Sequence, residues 1–289
     1  MHLSTKDVEL FYKLYHQLLA YANAKYHLLN IESPEDIRGS IPAGLDSLRK
    51  RVYEHPKIIN EFITKNPYNL TSSELKIVKE WNHFVKGEFI LLRHLKNYTI
   101  FLELEEPPKA YGVLALCSPF DELTHPPPVM VWTVLLPFKG KIIYDGLLFA
   151  RNVLFGSGYR ESFNDTYQEA KFRFGIIESL PFQEERKKSD EDTLRFYLKN
   201  ERNREIYWEE IEKLIKDPRL LVVYHQEMGK VASREAKKLL RKVGLSRGWF
   251  AILEGMPVAS GVTKDAVTDV VRDIVPEDKW EFVYYFQLK

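Results

Sequence analysis

The sequence predicts an α+β protein: a helical N-terminal region, a central antiparallel sheet or small barrel, and a C-terminal α/β segment. Three observations carry this expectation. Apolar residues recur at helical spacing over residues 1–97. Four short apolar or alternating runs, separated by turn residues, follow between Thr99 and Tyr144. Beyond a charged helical stretch, strand-like runs then alternate with helical ones. The expected division is a helical region at 1–97, a β region at 98–150, a helical connector at 151–216 and an α/β region at 217–289.

In the helical region, 5–29 reads as a helix capped by Ser4 or Thr5, with Val8, Phe11, Leu14, Leu18 and Ala22 on one stripe. Leu45 to Val52 and Pro56 to Lys65 read as shorter helices, the second stopped at Asn66-Pro67. Thr71 to Ser73 offer caps, Glu74 completes a capping pattern, and apolar spacing carries a helix through Leu95, with Gly87 a point of weakness.

The period then shortens. Thr99 to Leu104 alternates, while Tyr111 to Cys117 and Val129 to Leu136 are nearly continuous apolar runs, as in strands covered on both faces. Pro137 to Gly140 is a turn into Lys141 to Tyr144, which makes a hairpin. Glu161 to Phe174 and Thr193 to Lys216 read as helices, with the polar stretch 183–192 between them as a linker. Leu220 to His225 reads as a buried strand and Ser233 to Val243 as a basic helix ended by Gly244. Trp249 to Leu253, a helix from Thr263 to Ile274, and Trp280 to Phe286 as a strand complete the chain.

Composition narrows the function classes. With 289 residues, two cores are the natural expectation. Hydrophobic and charged fractions of 45% and 29% match globular proteins and exclude wholesale disorder. Lys plus Arg (42) balance Asp plus Glu (41), so binding to nucleic acid or an anionic surface requires a local patch. Cys117 stands alone, which excludes an intrachain disulfide and fits a reducing compartment. Its place in an apolar run predicts an inert thiol. The amphipathic N-terminus is unlike a secretory leader, and no apolar run reaches spanning length, so the expectation is a cytoplasmic protein with no membrane contact.

The segment LLPFKGKIIYDGLL, residues 135–148, resembles one shared by uncharacterised microbial proteins. Some of those carry a C-terminal metal-binding module of the SEC-C type. This chain lacks the Cys/His set of that module, so the resemblance implies no zinc role and no activity.

Phosphate loops, HExxH spacings and GxSxG elbows do not occur, and no cofactor is expected. His225, beside Gln226 and Glu227, is no constellation by itself. Two groups remain. Asp121, Glu122 and His125 lie in the break between strands and Asp145 follows the hairpin; brought to one sheet edge, they would form a metal-assisted or acid–base hydrolytic site. Alternatively SPFDEL is an ordinary capped turn, and Asp145-Gly146 is turn chemistry. The second group is Arg234, Lys237, Lys238, Arg241 and Lys242, spaced i, i+3, i+4, i+7, i+8 on one helix face, with Leu239, Leu240 and Val243 expected on the buried side. Such a face fits nucleic acid or an acidic protein partner, and it also fits a solvated surface. The favoured expectation is a non-enzymatic binding or regulatory protein.

Overall fold

The computed structural model describes residues 2–31, 33–39, 42–151, 153–182 and 188–289. The fold is α+β, and the chain divides into two compact units, Met1–Glu185 and Arg186–Lys289.

The first unit is a five-stranded barrel with helices around it. Its helices begin with α1 (Thr5–Tyr26), α2 (Pro42–Glu54), α3 (Lys57–Lys65) and α4 (Ser72–Glu80). Ser4 caps α1 by accepting from the Asp7 N–H, and α1 ends at His27 in the left-handed region. Thr71 and Glu74 form a reciprocal capping box on α4.

The helix expected to run to Leu95 stops at Glu80, and β1 (Val85–His94) replaces its second half. Phe89, Ile90, Leu91 and Leu92 are all buried, which one face of a helix cannot achieve but a strand covered on both sides can. Phe89 and Leu91 face the main core, and Ile90 and Leu92 pack toward α6 (Ser157–Phe174).

The remaining strands are β2 (Thr99–Glu103), β3 (Lys109–Leu114), β4 (Val129–Phe138), β5 (Lys141–Tyr144) and the short β6 (Phe149–Ala150), with the four-residue α5 (Phe120–Leu123) between β3 and β4. They run β1-β2-β3-β5-β4, and β1 pairs again with β4 to close the barrel. All pairings in it are antiparallel except β3 with β5. The LLPFKGKIIYDGLL segment supplies the β4–β5 hairpin, its turn made by Lys139 and Gly140, both at positive φ. Cys117 lies beyond the end of β3 and is exposed, so the expectation of a thiol enclosed in an apolar strand is corrected.

The second unit begins with three short helices, α7 (Asp190–Tyr197), α8 (Glu201–Ile206) and α9 (Trp208–Leu214), where one long helix is expected. Asn200 breaks that run by capping α8 with its own side chain. Of the expected linker, residues 183–187 lie outside the described residues, and Ser189 caps α7. The next element is α10 (Pro218–Lys242), which absorbs the run expected as the strand Leu220 to His225. Asp217 caps it and Pro218 occupies its first turn. Different stretches of α10 pack on different partners. Leu220, Val223 and Tyr224 meet α7 and α9, whereas Gly229, Ala236 and Leu240 meet a sheet.

That sheet has the order β8-β7-β9, from β7 (Gly248–Leu253), β8 (Met256–Gly261) and β9 (Tyr284–Leu288), all antiparallel. A 3-10 turn, Glu277–Phe282, occupies the first half of the expected last strand. The helix α11 (Lys264–Ile274) covers one sheet face through Val267 and Val271, and α10 covers part of the other through Phe250, Ile252 and Phe286. Among the described residues no helix is long and apolar enough to cross a membrane.

Candidate functional site

The expected acidic group is distributed over two environments. Asp121 and Glu122 are exposed on α5, and His125 is exposed just beyond it. Thr124 closes α5 by donating its backbone N–H and hydroxyl to the Phe120 carbonyl. Asp145, by contrast, has a fully buried side chain. Both of its oxygens accept from the equally buried Arg49, through Nε to Oδ2 and through Nη2 to Oδ1 at 2.9 Å. Tyr15 donates to Oδ2 at 3.1 Å, and the Leu147 N–H lies 3.4 Å from Oδ1. Burial pushes the Asp145 carboxyl above its ordinary range, while Arg49 works in the opposite direction.

Trp132 lies over the Arg49 guanidinium, with Cζ 4.7 Å from the ring centroid. A carboxylate enclosed in this way holds α2 to the end of β5. It does not share a solvent-reached acid–base site with the exposed Asp121, Glu122 and His125. Among the described residues no group of three His, Cys, Asp or Glu side chains is placed to hold a metal ion.

The basic group gives a different picture. Arg234, Lys238, Arg241 and Lys242 are exposed on the C-terminal half of α10. Lys237 turns toward the sheet, its Nζ 5.3 Å from the Phe286 ring centroid, and an Arg241 Nη2 lies 3.4 Å from the Lys289 carbonyl. The apolar residues expected beneath them are not all buried. Leu240 packs on the sheet, but Leu239 is 64% exposed and Val243 74% exposed. The residues that α10 does press on the sheet are Gly229, Ser233, Ala236 and Leu240, at helical spacing. Gly229 is required there, since a Cβ would stand 2.3 Å from that of Tyr284.

Because α10 lies over β9 and β7 only, the adjoining face beside β8 is open. It forms an apolar groove of 720 Å³ lined by Ala236, Leu239, Leu240, Phe250, Val258 and Val270, with Glu235 the acidic side chain among its walls. Lys242 stands one helical turn (i, i+3) from the groove residue Leu239, whereas Lys238 and Arg234 lie progressively further round α10 from the groove. The sequence contained the cationic spacing but gave no sign of the groove, because β8 reads as a turn-like MPVASG and the exposure of Leu239 depends on what α10 leaves uncovered.

A second, smaller cavity of 370 Å³ in the first unit is bordered by His2, Tyr98, Lys141 and Glu178. Burial, and then the neighbouring Glu178, push the Tyr98 phenol up to about 12. These side chains offer charges of both signs and no nucleophile–base pair. No protein-family model, curated protein or solved structure matches this chain.

Proposed function

We propose that this chain is a non-enzymatic binding protein whose C-terminal unit seats an acidic protein segment, anchored by apolar side chains, in the groove beside α10. One observation carries the reading: α10 sets the exposed Lys242 one helical turn from Leu239, an exposed leucine in the wall of an apolar groove. Aliphatic surface of this kind is costly in water, and each Leu- or Val-sized side chain fully covered contributes about 1.5–3 kcal/mol. The cations add steering and choice of partner more than affinity, and their effect falls with salt. A nucleic acid would satisfy Lys238 and Lys242 but would leave Leu239, Val258 and the groove floor uncovered.

The test titrates the full chain into a labelled peptide with Leu at i, i+3, i+4 and i+7 and Glu elsewhere, beside labelled single-stranded and duplex oligonucleotides, over a salt series. The reading expects the peptide to bind, and both Lys238→Glu/Lys242→Glu and Leu239→Asp to weaken it by tenfold or more, on the order of 1.4 kcal/mol. Oligonucleotide binding indifferent to Leu239→Asp would replace it with the polyanion reading. Failure of the peptide to bind at low salt would reject it.

A further inference from the structure

The smaller cavity of the first unit is built over a single glycine. Gly112 of β3 pairs with Ile100 of β2 on one side. The other side of β3 is shared by two segments. Ile177 bridges there in parallel to Tyr111, accepting from the Gly112 N–H at 2.9 Å and donating to the Ala110 carbonyl at 2.8 Å. Further along, β5 takes over, with Ile142 opposite Val113. Glu178, one residue after Ile177, and Lys141, one before Ile142, therefore both arrive level with Gly112, on the sheet face that Gly112 itself points to. From the β2 side the Tyr98 ring closes over the glycine, where a Cβ would stand 2.9 Å from Tyr98 Cγ. The space so left is the cavity of 370 Å³, which Asn97 and Leu114 also line.

Among the described residues neither Lys141 nor Glu178 forms an ion pair, with the other or with any third side chain. Asp7, the carboxylate that feels Lys141, is bonded to Lys139 instead. One cavity thus presents a cation and an anion, each without a partner in the chain. Its volume lies at the low end of the roughly 300–1,000 Å³ of small-molecule sites, which suits a small ligand. We propose that this cavity binds a free α-amino acid, its ammonium donating to Glu178 and the Tyr98 hydroxyl and its carboxylate accepting from Lys141 and the Asn97 amide. Leu114 and the Tyr98 ring supply the apolar walls. A purely anionic ligand would be set against Glu178 and a purely cationic one against Lys141, so the pair of charges selects a zwitterion by repelling both alternatives.

Isothermal titration of the full chain with each standard L-amino acid in turn, at low salt, tests the proposal. At least one is expected to bind with a Kd of about 1 mM or tighter. The amine that lacks its carboxylate and the acid that lacks its ammonium should each bind about tenfold more weakly or worse. Lys141→Met and Glu178→Gln change exposed side chains, so the urea midpoint should stay in place while each weakens the amino acid by about tenfold or more. Glu178→Gln should also erase the advantage of the amino acid over the acid, and Lys141→Met its advantage over the amine. Binding by none of the amino acids overturns the proposal. So does an amine or acid that binds the wild type as tightly as the amino acid, or a Kd that either substitution leaves unmoved.

Discussion

Arg49 and Asp145 show what a single buried pair does in this chain. Each side chain is fully enclosed, so removing one leaves the other charged, desolvated and unmatched. Arg49→Ala and Asp145→Ala are each expected to cost about 3–5 kcal/mol in urea unfolding. The double replacement Arg49→Met/Asp145→Leu should cost much less than the two single losses together. Near-additive losses would mean that the pair acts through packing rather than charge. A second residue-scale prediction concerns Gly229. Ala at that position would press into Tyr284 and should destabilise the second unit by about 1–3 kcal/mol, as overpacked sites do. A midpoint unchanged within error would contradict so close an approach of α10 to β9.

At the scale of elements, the α4 cap gives a prediction with a pH sign. Glu74 lies below the ordinary glutamate range because of its hydrogen bond to Lys13, at 2.6 Å, and then that from the Thr71 N–H. Its folded value is depressed, so its contribution is complete above the unfolded glutamate value and is lost as pH falls through the folded one. Glu74→Gln keeps the capping geometry and removes the charge. The stability gap between it and the wild type should therefore be open at neutral pH and close in acid; a gap that persists in acid would contradict the charge account. Thr71→Ala removes the cap itself and should cost about 1 kcal/mol.

The elements that could be read from the sequence are those whose pattern is local. Ser4 and Thr71 as caps, β2 with its alternation, the β4–β5 hairpin and the end of α10 at Gly244 belong to this group. Those misread have continuous apolar runs. Residues 89–92 are buried on both faces of β1, and Leu220, Val223 and Tyr224, within the run at the start of α10, pack on the short helices. A continuous apolar run does not state its period, so only tertiary packing distinguishes strand from helix there.

At the scale of the molecule, the candidate site was half legible. The cationic spacing of α10 follows from the sequence alone, whereas the place of that helix beside a groove does not. The groove itself depends on a sheet one strand wider than α10 covers, and no local signal reports that. The separation of Asp145 from Asp121, Glu122 and His125 was equally out of reach, because Asp145 is claimed by Arg49, nearly a hundred positions earlier in the chain.

The central claim is that binding takes place at the α10 groove, and amide hydrogen exchange of the full chain with and without the Leu/Glu peptide tests it most directly. Protection gained in the C-terminal half of α10 and in β8, reduced in Lys238→Glu/Lys242→Glu, is the predicted result. Protection confined to Met1–Glu185, or absent from α10 while the peptide is demonstrably bound, would contradict it.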